Sequence, residues 1–217
     1  MSQIPLDLPH RAAFGREDFL ADASNEKALA LIDGWPDWPS HAAILVGPAG
    51  CGKTHLAQIW QARAAAQVFP APLQSRAVLT EDCDHGLDER ALFHALNSAK
   101  QDGGHILMTA AVFPAAWNIT LPDLASRLKA VPVTVIGPPD DGLLRSVLVK
   151  LFADRQLQVG EETVAYMVAR MPRSLGAARA LVAEIDRQAL AERADVTRPF
   201  VARFMARYAE PELFGEG

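Results

Sequence analysis

The sequence predicts an α/β protein, with a mainly parallel sheet flanked by helices and then a small all-helical domain. Three observations carry that prediction. The stretch Gly47-Pro48-Ala49-Gly50-Cys51-Gly52-Lys53-Thr54 fits the phosphate-loop pattern G-x-x-x-x-G-K-[ST] at every fixed position. Short apolar runs alternate with helix-like runs up to residue 136. Beyond Gly137-Pro138-Pro139-Asp140 the apolar spacing is near 3.6, and no run reads as a strand.

In chain order, residues 1–15 read as a tail, 16–137 as the α/β domain and 138–217 as a helical lid domain. Ser24 or Asn25 is placed to cap a helix over 26–32. Trp35-Pro36-Asp37-Trp38-Pro39 is a stiff loop before the first core strand, at 42–46. A helix over 54–66 follows the phosphate loop. Residues 67–69 are a short strand that Pro70-Ala71-Pro72-Leu73 breaks. Residues 77–80 and 105–109 are strands, with a helix over 88–99 between them. The run at 131–136 is another strand, and Pro132, which cannot donate to a ladder, places it at an edge. In the second domain, 143–152, 161–170, 175–191 and 198–208 are helical, with Pro199 tolerated in a first turn. No internal repeat or low-complexity segment interrupts the chain.

Composition excludes some classes. The chain has 217 residues, 50% hydrophobic and 22% charged, which suits a globular protein with a real core. No apolar run approaches the ~20 residues of a membrane helix. The N-terminus lacks a basic stretch followed by an apolar one, so no signal peptide is expected. Cys51 and Cys83 form neither a disulfide framework nor a metal spacing. A cytoplasmic location is the expectation, with no membrane partner. A net charge of −5 gives no general attraction to nucleic acid, and no DNA-reading module is visible.

The phosphate loop sits between an apolar run and a helical one, which is the context it needs. Its glycines let successive backbone N–H groups, from Gly47, Pro48, Ala49, Gly50, Cys51 and Gly52 onward, wrap phosphate oxygens at a helix N-terminus, proline alone contributing no N–H. Lys53 is placed for the β- and γ-phosphates and the Thr54 hydroxyl for Mg²⁺. Glu81 and Asp82 end the next apolar strand, where acidic residues serve Mg²⁺ and the attacking water. The usual order is Asp then Glu. With Glu first, its carboxylate lies about a bond length further out, and Mg²⁺ is strict about geometry. Nucleotide binding is therefore better supported than rapid hydrolysis, and a weak ATPase at most is expected. Asp84 and Asp88 read as the start of a solvated loop. Thr109 ends the following strand and is a candidate to orient water beside the γ-phosphate, or simply a packed threonine. Ser126-Arg127 lies between the last two strands. Arg127 is either an arginine aimed at a neighbouring subunit's nucleotide or a surface residue on a helix.

In the tail, Gln3-Ile4-Pro5-Leu6-Asp7-Leu8 spaces aliphatic anchors at Ile4, Leu6 and Leu8 after a directional hydrogen-bonding Gln3. Such an extended segment can dock in an apolar groove of a partner, or pack on its own domain.

Together these pieces resemble an AAA+ ATPase of the DnaA branch, and within it the Hda family, over nearly the whole chain. Residues 19–25 look like the entry segment near the adenine, so the resemblance adds Asn25 and His55 to the nucleotide contacts. Leu121-Pro122-Asp123-Leu124-Ala125-Ser126-Arg127-Leu128 resembles the segment bearing the arginine finger, acting in trans. Residues 3–8 resemble that family's peptide for the DNA polymerase sliding clamp (beta subunit). DnaA itself carries a C-terminal DNA-binding domain, and the resemblance to the Hda family leads to the expectation of none after the lid. The resemblance implies ADP or ATP with Mg²⁺ as ligands. It also implies docking on the clamp, and stimulation of ATP hydrolysis by DnaA, which suppresses re-initiation of replication. Self-association through Arg127 stays open, as does the sign of the effect on DnaA.

The chain departs from that pattern at three places. The acidic pair is inverted. The connection between 69 and 77 is too short for one helix of the usual core. The lid's sensor-arginine position falls on Gly176 or Ala177, with Arg173 and Arg179 offset from it. The alternative function is an active ATPase of the same family, a helicase loader or remodelling factor on single-stranded DNA.

Overall fold

A computed structural model describes residues 15–71 and 75–208. The peptide at 3–8 lies outside the described residues. The α/β domain runs α1 (Glu26–Asp33), β1 (Ala42–Val46), α2 (Lys53–Ala64), β2 (Gln67–Val68), β3 (Ala77–Thr80), α3 (Glu89–Asp102), β4 (His105–Ala110), α4 (Pro122–Ala130) and β5 (Val133–Val135). The lid is α5 (Asp141–Ala153), α6 (Glu161–Val168), α7 (Leu175–Glu192) and α8 (Arg198–Tyr208).

The sheet has five strands in the order β2-β3-β4-β1-β5, and every neighbouring pair is parallel. β1 is apolar at all its positions and fully buried, as a strand covered on both faces must be. Its side chains alternate. Ala43 and Leu45 join Leu79, Leu107, Ile32, Leu56 and Trp60 on the face carrying α1 and α2. Ala42, Ile44 and Val46 join Val78, Ile106, Met108, Leu92 and Leu124 on the face carrying α3 and α4. Each large side chain buried this way stabilises by roughly 1.5–3 kcal/mol.

β5 is an edge strand, as Pro132 requires. The proline carbonyl accepts from the Ile44 amide at 3.0 Å, so the residue contributes the one group it has. Among the described residues no helix joins β2 to β3. α4 is a helix where periodicity marked no element. It starts on Pro122, whose missing N–H costs nothing in a first turn. In the lid, Asp140 caps α5 through Leu143 N at 2.7 Å, and Ser174 caps α7 through Ala177 N at 3.2 Å. The lid helices enclose their own apolar core around Leu148, Phe152, Met167, Leu181 and Phe200.

The register fixes what meets at the rim. Leu45 lies beside Thr109, and Val46 beside Ala110 and Val135. The phosphate loop after β1, the acidic stretch after β3 and the end of β4 therefore emerge on one carboxyl edge of a parallel sheet, where such folds bind ligands.

Candidate nucleotide-binding cleft

The phosphate loop connects β1 to α2. A Cβ on Gly47 would lie 2.5 Å from the Ile136 carbonyl oxygen and 2.8 Å from Cys51 Sγ, so only glycine fits there. Gly52 has φ +109°, a conformation that side chains resist. Lys53 opens α2 and is buried; its Nζ donates to the carbonyls of Gly47 at 2.7 Å and Pro48 at 3.1 Å. Thr54 is exposed and Cys51 buried, with burial pushing the Cys51 thiol up from its ordinary pKa. Pro48 and Ala49 are exposed at the loop tip.

A cavity of about 520 Å³ opens between this loop and the lid. Gly50, Gly52, Lys53, Thr54 and His55 form one wall, Asp18 and Phe19 another, and Val147, Lys150, Leu175 and Arg179 the lid side. The volume lies in the range of small-molecule sites. The loop amides at the start of α2, a lysine and an exposed threonine suit a phosphate chain, and the apolar lid wall suits a base. The residues present thus fit an adenine nucleotide. Among the described residues no group of His, Cys, Asp and Glu side chains could hold a metal alone. Mg²⁺ is commonly held by few protein ligands together with substrate phosphates.

His55 is buried and touches three elements. Its Nε2 lies 3.2 Å from the Gly15 carbonyl, and its ring meets Phe19 edge-on at 5.2 Å. Its Nδ1 lies 3.1 Å from Arg179 Nη2. A guanidinium only donates, so Nδ1 accepts and the proton sits on Nε2, facing Gly15. Burial, reinforced by the charge of Arg179, holds the His55 pKa below its ordinary value, which agrees with a neutral ring. At the mouth, Lys150 bonds Asp18 at 2.8 Å and Asp154 at 3.0 Å. The hydrogen bond from Lys150 holds the Asp18 carboxyl below the usual carboxylate range.

The other predicted residues do not line this cavity. Glu81 and Asp82 are exposed at the end of β3. The Asp82 amide donates to Thr109 Oγ1 at 3.1 Å, and the Cys83 amide to the Thr109 carbonyl at 2.9 Å. Thr109 is 1% exposed and ties the acidic turn to β4. Asp84 and Asp88 do not start a solvated loop. The Asp84 side chain is 6% exposed and accepts from the Ala111 amide, while Asp88 caps α3 through Ala91 N. Burial alone would raise the Asp84 carboxyl, but the amide hydrogen bonds hold it below its ordinary value. Asn25 is 1% exposed, and its amide is committed to the entry segment, accepting from Asp22 N and donating to the Leu20 carbonyl.

Arg127 is half-buried on α4 and lies 5.0 Å over the Phe93 ring of α3, on the sheet face opposite α2. Of the two lid arginines, Arg179 lines the cavity, and Arg173 pairs with Asp141 at 2.8 Å on the surface. Arg179 was one of two lid arginines the sequence offered; Asp18 and Lys150 were not legible as cleft residues, because two distant segments supply them at no fixed spacing.

A family model for the Hda lid domain matches residues 141–205. An uncharacterized protein of Haemophilus influenzae is 26% identical over 226 residues, covering 94% of this chain and 98% of the relative. Domain III of the replication initiation protein DnaA from Thermotoga maritima superposes with a TM-score of 0.79 at 16% identity, over 91% of this chain and 98% of that one. The AMPPCP-bound DnaA of Aquifex aeolicus gives 0.72 at 14% identity, over 88% of this chain and 68% of that one. The fold is thus that of the DnaA AAA+ domain, and the lid is of the Hda type. No helix among the described residues is long and apolar enough to cross a membrane.

Proposed function

We propose that this Hda/DnaA-related AAA+ protein holds an adenine nucleotide between phosphate loop and lid, and regulates replication initiation by presenting Arg127 to the ATP of DnaA. The observation that carries this reading is the placement of Arg127. It lies outside its own cleft, half-exposed, and makes no ion pair with any described residue. An arginine meant for its own nucleotide would face the cleft, and no carboxylate of a described residue neutralises this one.

In the cleft, the loop amides and Lys53 would hold the phosphates, and Thr54 with Glu81 or Asp82 would hold Mg²⁺, which supplies charge neutralisation when bound. Arg179 and the Asp18–Lys150 pair would close the lid side. With no arginine at Gly176 or Ala177 and with the acidic pair inverted, the protein's own hydrolysis would be slow and the nucleotide would serve to set the lid. Arg127 in trans would stabilise charge on the transferring phosphoryl group, an effect worth ~10³–10⁵ in rate for arginine fingers. The segment at 3–8 would tether the protein to the sliding clamp and raise its effective concentration near DnaA.

The test is direct. Mix the protein and clamp-loaded DNA with ATP-bound DnaA and follow ADP formation. The reading expects acceleration by the wild type and its loss in Arg127→Ala. Equal acceleration by both, or none by either, overturns it. The alternative, an active loader on single-stranded DNA, draws support from Glu81, Asp82 and Thr109 sharing the sheet rim with the phosphate loop. It predicts steady turnover by the protein alone, stimulated by single-stranded DNA.

A further inference from the structure

We infer that Phe93 and Glu89 of α3 are positioning residues that preset Arg127 for a partner's nucleoside triphosphate; the inference rests on the trans role proposed above. The two are four residues apart, so they share one face of α3, and that face meets α4.

Glu89 governs where α4 begins. Its carboxylate accepts from the Thr120 amide at 2.9 Å, the Thr120 hydroxyl at 3.1 Å and the Leu121 amide at 2.6 Å. Leu121 occupies the N-cap position of α4 and has no side-chain acceptor of its own. The cap is therefore supplied from another helix, with a negative charge at the positive end of α4. Those amide bonds, with the Thr120 amide foremost, hold the Glu89 carboxyl below its ordinary pKa.

Phe93 governs where the guanidinium points. The Arg127 guanidinium carbon lies 5.0 Å from the ring centroid, within cation–π range. A carboxylate at this place would take up the N–H donors and neutralise the charge. A ring carries no oxygen to take up the N–H fork and no charge to neutralise it, so those donors stay available for phosphate oxygens. The side chain is held in one orientation while its recognition chemistry stays available. Glu89 sets the helix and Phe93 sets the side chain.

The experiment uses the full chain with the clamp-loaded DNA and ATP-loaded partner described above. Phe93→Leu keeps apolar bulk and removes the ring; Phe93→Tyr keeps both. The expected result is about three- to tenfold loss of the maximal stimulated rate in Phe93→Leu, at an unchanged half-saturating concentration, with Phe93→Tyr near wild type. Glu89→Ala should lower the same maximal rate. A readout independent of activity is the Arg127 Nε–H proton by NMR. It should resonate upfield in the wild type and Phe93→Tyr from the ring current, and return to the ordinary position in Phe93→Leu. If Phe93→Leu stimulates fully while Arg127→Ala does not, the positioning role is overturned and the trans role stands. If Arg127→Ala also stimulates fully, both fall. An Arg127 Nε–H shift unaffected by Phe93→Leu also overturns the inference.

Discussion

The amide of Leu175 donates to the carbonyl of Gly50 at 2.8 Å, so the first residue of the longest lid helix is tied to the phosphate loop itself. Gly50 sits at φ +72°, and a Cβ there would meet Ser174 Oγ and lie 3.2 Å from the Gly176 amide. Lid and loop are packed so closely that position 50 accepts only glycine, and Gly176 on the lid side lies in van der Waals contact with it. The position of the lid therefore depends on the conformation of the segment between β1 and α2.

Gly50→Ala tests that coupling. A left-handed residue costs about 1–2 kcal/mol without glycine, and the new methyl also displaces Ser174. The expected outcome is a lower Tm and weaker nucleotide binding together. A fall in neither, measured by calorimetry and titration, would contradict the contact.

The lid arginines should separate cleanly. Arg179 lines the cavity beside His55, whereas Arg173 is engaged with Asp141 at the surface. Arg179→Ala should weaken nucleotide binding by about tenfold, as loss of a charge-assisted contact does, and Arg173→Ala by less than about twofold. A fluorescent-nucleotide titration decides, and the reverse order would refute the assignment.

Thr109 links β4 to the acidic turn through the Asp82 amide. Thr109→Val preserves shape but removes the acceptor, and should cost about 1–2 kcal/mol of stability in chemical denaturation. Thr109→Ser should recover most of it. Equal stability of all three proteins would show the hydrogen bond to be dispensable.

Cys83 gives a pH dependence with a definite sign. Burial pushes its thiol to about 12. Unfolded, it ionises near 8.5, so between roughly pH 8.5 and 12 the folded state binds more protons. Its contribution is fully present below the unfolded pKa and falls as pH rises, by at most about 1.4 kcal/mol per unit. Cys83→Ala should flatten the alkaline limb of the stability profile. The same burial predicts slow alkylation of Cys83 at pH 8; rapid modification of the folded protein would contradict it.

The fold was legible where burial leaves a mark on local sequence. β1, β3 and β4 are covered on both faces and read as continuous apolar runs, and the phosphate loop has fixed spacing. α4 carries a local start signal in Pro122, but the Glu89 carboxylate that holds the residues before it lies far away in sequence and leaves no local mark. Asp84 was misread for a similar reason: the amide that holds it, from Ala111, lies beyond an intervening helix and strand. Arg127 could be located by resemblance, but its Phe93 platform could not, because aromatic side chains on helices usually serve packing. The cleft's lid side depends on how two domains face each other, and periodicity carries no information about that.

Binding calorimetry of Mg²⁺ with ADP and with ATP, on the wild type and Lys53→Ala, tests the central claim most directly. A nucleotide held between loop and lid predicts one saturable site per chain in the wild type, and at least about tenfold weaker binding in Lys53→Ala. A folded wild-type protein that binds neither nucleotide, or a variant that binds as tightly, would contradict it.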